Sequence, residues 1–158
     1  MKALVVYYSL EGNTKYVVDQ IRDYLKADTL CLEPVKEYPK GSVSKFVWGG
    51  KSVVFGETPK LKPYKFSEDR YDMIIIGTPV WAGSFVPPIK TFLKENKLSD
   101  KKIAFFACST SGNVTKCFEK LKQQVGVENV VAKLSLIDPK VKKSEENVKK
   151  IKAFCDKL

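Results

Sequence analysis

Short, uninterrupted apolar runs recur along the chain at Ala3–Tyr8, Met73–Gly77 and Ile103–Cys108. Runs of this length suit strands that are covered on both faces, as in a parallel sheet. Two further segments read as weaker strands. Thr29–Leu32 is short, and Val130–Leu136 alternates, with Val131, Lys133 and Ser135 opposed to Ala132, Leu134 and Leu136. Both have the traits of edge strands.

Between the strands the apolar positions switch to helical spacing. Val17, Ile21 and Leu25 fall on one face of a helix predicted from about Asn13 to Lys26. Pro87-Pro88 opens a second, with Ile89, Phe92 and Leu93 inward, because proline suits the first helical turn. Val114, Cys117, Phe118 and Leu121 line a third, which stops near Gly126. Ser144 is the expected cap of a fourth, with Glu145 and Glu146 favourable in its first turn and Val148, Ile151, Phe154 and Leu158 as its stripe. The 33–70 segment is punctuated by Pro34, Pro39, Pro59 and Pro63. Within it Val43, Phe46, Val47, Val53 and Val54 predict one imperfect helix from about Ser42, which Gly49-Gly50 weakens by about 1 kcal/mol each. It reads as a long lysine-rich connection and not as a second domain.

Strict alternation of strand and helix predicts an α/β chain of three layers, a five-stranded parallel sheet with helices on both faces. The two edge-type strands and three buried ones fit the order 2-1-3-4-5, with strands 1, 3 and 4 inside. A length of 158 residues suits one domain, 1–158, large enough to bury roughly 68–70% of its unfolded surface. No run approaches the ~18 apolar residues of a membrane helix, so no membrane insertion is expected. Met1–Tyr8 passes straight into a polar turn and reads as a first strand and not as a signal peptide, so a cytoplasmic protein is expected.

Composition changes the picture through what is missing. The chain has no histidine, which removes Ser-His-Asp and Cys-His catalysis and every imidazole metal site. Its four cysteines, Cys31, Cys108, Cys117 and Cys155, form no CxxC pair and lie in or beside apolar stretches. Reduced, mostly buried thiols are expected, with no metal site. The net charge is +10 and almost all the excess is lysine, since Arg22 and Arg70 are the two arginines. Lysine lacks the planar fork that reads phosphates and base edges, and the lysines are spread along the chain. No nucleic acid is expected; a field that steers anionic partners is. The expected assembly is a monomer or a homodimer.

In an open α/β sheet of this order, ligands bind outside the carboxyl ends of the central strands. Three loops follow those ends: Ser9-Leu10-Glu11-Gly12-Asn13-Thr14, Thr78-Pro79-Val80-Trp81-Ala82-Gly83, and Ser109-Thr110-Ser111-Gly112-Asn113. All are rich in small and hydroxylic residues. The first can hold a phosphate on the backbone N–H groups of a helix start, with hydroxyls at Ser9 and Thr14 and a permissive Gly12. It lacks GxGxxG, which disfavours a nicotinamide-type site, and it lacks the acidic strand end of a phospho-accepting domain. The second loop offers Trp81 to a planar ligand. Gly49-Gly50-Lys51-Ser52 ends like a phosphate-binding P-loop, but the required first glycine is Lys45. Cys108 at a strand end lacks the arginine a phosphatase needs six residues on, where Val114 stands.

At these residues the chain resembles a flavodoxin. Ser9–Thr14 is similar to the family's phosphate loop, with Glu11 where a threonine is common. Gly77–Gly83 resembles the loop that packs an aromatic on one flavin face, and Phe106–Ser109 resembles the start of the third loop. The resemblance implies a flavodoxin-like fold and a non-covalent FMN. Ser9, Leu10, Glu11, Gly12, Asn13 and Thr14 would hold its phosphate. Thr78, Pro79, Val80, Trp81, Ala82 and Gly83 would meet one edge and face of the ring, and Cys108, Ser109, Thr110, Ser111 and Gly112 the pyrimidine edge. It also implies electron transfer with redox partner proteins. Two departures stand out: the charge of +10, where electron-carrier flavodoxins are acidic, and a third loop without an aromatic. An open second face would suit a hydride donor or a quinone, so a small FMN-dependent NAD(P)H:quinone-type oxidoreductase is the alternative, and a non-redox binding module the third.

Overall fold

The computed structural model describes residues 1–40, 50, 51, 53–128 and 130–158. Five strands form one parallel sheet in the order β2-β1-β3-β4-β5. They are β1 (Ala3–Tyr7), β2 (Asp28–Cys31), β3 (Met73–Pro79), β4 (Lys102–Ser109) and β5 (Ala132–Ile137). α1 (Asn13–Leu25), α2 (Pro87–Glu95) and α3 (Thr115–Val125) lie in crossovers between strands, α4 (Glu145–Cys155) follows β5, and a short 3-10 turn, Glu68–Arg70, leads into β3.

Strand pleating divides the apolar side chains between two cores, because successive side chains point to opposite faces. Leu4, Val6, Ile74 and Ile76 face one side and pack with Ile89 and Phe92 of α2 and with Cys117 and Leu121 of α3. Val5, Tyr7, Ile75 and Phe106 face the other and pack with Val17 and Ile21 of α1 and with Ile151 and Phe154 of α4. This explains the unbroken apolar runs: β1, β3 and β4 are covered twice. β2 leaves Asp28, Thr29 and Cys31 exposed at one edge, and β5 buries Ala132, Leu134 and Leu136 while Lys133 faces out at the other.

Helix ends follow local chemistry. Lys26 and Gly126 close α1 and α3 in the left-handed conformation, at φ 54° and 76°. Ser144 Oγ accepts from the Asn147 N–H at 3.1 Å and caps α4. On the expected α4 stripe, Val148 is half exposed and Cys155 is buried in its place, because the helix meets its neighbours only from Ile151 onward. The helix expected from about Ser42 falls largely on residues 41–49 and 52, outside the described residues, as do Gly49 and Ser52 of the P-loop-like tetrapeptide. Among the described residues, no helix is long and apolar enough to cross a membrane. Cys108, Cys117 and Cys155 are buried thiols and Cys31 is exposed.

Gly77 marks where the sheet turns into the site. It pairs with Phe106 across β3 and β4. A Cβ on Gly77 would stand 2.1 Å from Phe106 Cζ, so the buried ring occupies the space a side chain would need. This glycine belongs to the packing beneath the loops.

Candidate functional site

The loops after β1, β3 and β4 open on one edge of the sheet and enclose a cleft. Its lining is Ser9, Leu10, Glu11, Asn13 and Thr14 from the first loop and α1, Pro79, Val80 and Trp81 from the end of β3, and Cys108, Ser109 and Thr110 from the end of β4. Asp138, just past β5, completes it. The structure therefore brings together residues from all three loops picked out by sequence.

The remaining predicted residues stand behind this lining. Gly12 caps α1 at φ 96°, with no side chain closing the helix start. The Thr78 hydroxyl is occupied within the protein: it donates to the Pro79 carbonyl at 2.7 Å and accepts from the Val86 N–H at 3.2 Å. Ala82 and Gly83 are both left-handed, at φ 48° and 71°, between paired backbone bonds of Trp81 and Ser84 at 2.9 Å each way. That is a two-residue turn of the mirror-image type, which needs positive φ at both central positions. Gly112, at φ 82°, donates its N–H to Ser109 Oγ at 2.9 Å and turns the third loop back on itself around Ser111.

The first loop is organised for an anion. The first N–H groups of a helix have no intrahelical partner. Here Ser9 Oγ accepts from the Lys15 N–H at 3.2 Å, while no side chain caps the helix at Gly12. Thr14 is 1% exposed, lines the cleft, and its hydroxyl has no hydrogen-bond partner. The Cys108 thiol lies near enough for a weak hydrogen-bonding interaction with that hydroxyl, but the pair does not meet full hydrogen-bond geometry. Burial pushes Cys108 up to about 12, against the smaller lowering effect of Thr14. The thiol is therefore neutral at physiological pH and is a poor nucleophile.

Trp81 packs against two tyrosines. Its ring lies edge-on to Tyr8 at 5.7 Å and to Tyr38 at 5.1 Å, and the two tyrosines meet each other at 6.1 Å. Burial raises the Tyr8 phenol far above its ordinary value, so it stays neutral. Tyr38 reaches the site because the preceding chain is pinned to residues 60–62, where Val35 N–H donates to the Lys60 carbonyl at 2.8 Å and Lys62 N–H to the Glu33 carbonyl at 2.7 Å.

Sequence reasoning passed over Asp138, Lys140, Tyr8 and Tyr38. Asp138 sits at φ 39° and turns the chain after β5 so that Lys140 meets the first loop. The Asp138-Pro139 pair directly after a strand was the available signal, since both residues favour turns. Nothing local marked Tyr38.

A family model described as flavodoxin matches residues 2–153. No curated protein sequence matches the chain. Among solved structures, a flavoprotein of Lactobacillus acidophilus in complex with FMN has 24% identity and a TM-score of 0.75, over 88% of this chain and 94% of that one. Oxidised flavodoxin 2 of Bacillus cereus has 22% identity and a TM-score of 0.61, over 99% and 97%. An NADH:FMN oxidoreductase in its apo form has 12% identity and a TM-score of 0.58, over 99% and 87%. At these identities the likeness is one of fold.

Proposed function

The chain belongs to the flavodoxin family, and from that premise we propose that it is an FMN-binding redox protein that passes electrons between partner proteins of the cytosol. The observation that carries this reading is the buried Thr14 hydroxyl, without a hydrogen-bond partner, in the first turn of α1, lining a cleft that Trp81 also lines. An unsatisfied buried hydroxyl costs stability unless a ligand bonds it. A phosphate supplies the acceptor, and a flat heteroaromatic ring suits the tryptophan.

When bound, FMN supplies the electron-accepting and electron-donating chemistry. The chain's part is to bind, orient and tune. The α1 start and Thr14 hold the phosphate, with the helix dipole favouring its negative charge. Trp81, packed edge-on against Tyr8 and Tyr38, would meet the flat ring. Cys108, Ser109 and Thr110 line the opposite wall with small side chains. Cys108 stays uncharged, and the Asp138 carboxylate disfavours added negative charge in the cleft.

Titrating the apoprotein with FMN, FAD and riboflavin tests the reading. One equivalent of FMN is expected to bind with quenching of tryptophan fluorescence, and FAD more weakly. Failure to bind any flavin would overturn the proposal in favour of a non-redox binding module.

The absence of an aromatic from Ser109–Asn113 favours one second reading, a small FMN-dependent NAD(P)H:quinone-type oxidoreductase whose exposed ring face receives a hydride directly. Steady NADH or NADPH oxidation by the FMN-loaded protein and a quinone, with no reductase added, would support it over the carrier.

A further inference from the structure

The chain after β5 crosses back over the first loop, and Lys140 joins the two. Its backbone N–H donates to Asn13 Oδ1 at 3.0 Å, and its ammonium donates to the Glu11 carbonyl at 3.3 Å. The same ammonium lies 2.9 Å from the place where a Gly12 Cβ would stand. A side chain at Gly12 would displace this ammonium, while the φ of 96° is what calls for glycine there.

These contacts have consequences for anion recognition. In a trans peptide the C=O and the following N–H point in opposite directions. An ammonium on the Glu11 carbonyl therefore turns the Gly12 N–H away from Lys140 and holds it there. The Asn13 carboxamide oxygen is engaged with Lys140, so it does not compete for the amides of its own helix. Charge matters as well. Glu11 brings a negative charge into a loop that has to accept a dianion, and Lys140 brings a positive one to the same peptide.

We infer that Lys140 is a positioning and charge-supplying residue through which the chain discriminates a phosphorylated flavin from an unphosphorylated one. This rests on the FMN reading above. The role comes from the connection between β5 and α4, outside the three loops that form most of the cleft.

The test uses full-length apoprotein titrated with FMN and with riboflavin, for the wild type, Lys140→Met, Lys140→Gln and Lys140→Arg, at low and high salt. Methionine and glutamine remove the ammonium and keep the backbone donor to Asn13. Lys140 is exposed, and thermal melting of each apoprotein checks that it folds. Lys140→Met and Lys140→Gln are expected to weaken FMN binding roughly three- to tenfold, to leave riboflavin within about twofold, and to flatten the salt dependence of FMN binding. Lys140→Arg should recover most of the loss. Equal changes for the two ligands, or no change for either, would overturn the inference while leaving the FMN reading intact. A wild-type protein that binds neither flavin would overturn that reading instead.

Discussion

Replacing Thr14 with valine should move stability and ligand affinity in opposite directions. The side chain is 1% exposed and its hydroxyl has no hydrogen-bond partner. Leaving such a group buried costs about 1–3 kcal/mol, and valine fills nearly the same space without it. Threonine and valine have similar helix propensities, so the backbone of α1 adds little to the difference. The neighbouring Cys108 thiol is a weak hydrogen-bonding group, which places the expected gain near the low end, about 1 kcal/mol. For a chain of 158 residues that is a rise in apoprotein Tm of roughly 2–4 °C. FMN binding should lose one charge-assisted hydrogen bond of about 1.5–3 kcal/mol, or roughly ten- to 150-fold in Kd. Circular dichroism melts of the apoprotein and fluorescence titration with FMN measure the two quantities. With FMN at 100 times the wild-type Kd, the ligand stabilises the wild type by about 2.7 kcal/mol and the variant by much less, so the order of the two melting temperatures should reverse. A lower apoprotein Tm for Thr14→Val would show that the hydroxyl is satisfied within the fold. An unchanged FMN affinity would remove it from the phosphate site.

Gly77→Ala should lower Tm by several degrees, because overpacking against the buried Phe106 ring costs about 1–3 kcal/mol, and Phe106→Leu should relieve part of that loss in a double-mutant cycle. Gly12→Val forces a branched side chain to φ 96° and onto the Lys140 ammonium, so FMN should bind more than about tenfold more weakly while riboflavin suffers less; equal losses would detach the loop from the phosphate. In native protein Cys31, exposed but raised above the usual thiol range by desolvation, should react slowly with a thiol reagent at pH 8, and Cys108 and Cys117, pushed up to about 12 by burial, should react only after denaturation. The folded state holds those protons more tightly than the unfolded chain, so their contribution to stability is complete below about pH 9 and should be lost progressively toward pH 12, which an alkaline denaturation series would follow. Electron exchange with an acidic partner protein should slow as salt shortens the Debye length from about 30 Å at 0.01 M to about 10 Å at 0.1 M, and a flat profile would separate the charge of +10 from partner choice.

The strand order was legible because doubly covered and singly covered strands have different composition. Val5, Ile75 and Phe105 lie in runs with no polar position, whereas Lys133 and Ser135 interrupt β5 on alternate residues. Burial on one face or two is set by neighbours, yet it leaves its mark on every second residue, so one chain read alone reveals it. The three loops could be found for a related reason. A parallel sheet has a fixed polarity, and once strands 1, 3 and 4 are central their carboxyl ends have to share an edge.

Roles within that edge were a different matter. Thr78 lies at the end of β3 and Thr14 in the first turn of α1; both are hydroxylic, and the sequence does not say which hydroxyl finds a partner within the fold. One is bonded to Pro79 and Val86, and the other is left open to the cleft. Gly77 and Gly12 are both glycines next to the site, but a ring from the adjacent strand requires the first and a positive φ the second. Tyr38 and Lys140 reach the site from segments 30 and 127 residues away from Tyr8 and Asn13. Local propensity and periodicity act over a few residues, and they specify elements, their polarity and their order along the chain. Which polar group finds a partner, and which is left for a ligand, depends on atoms that chain folding brings together from distant positions.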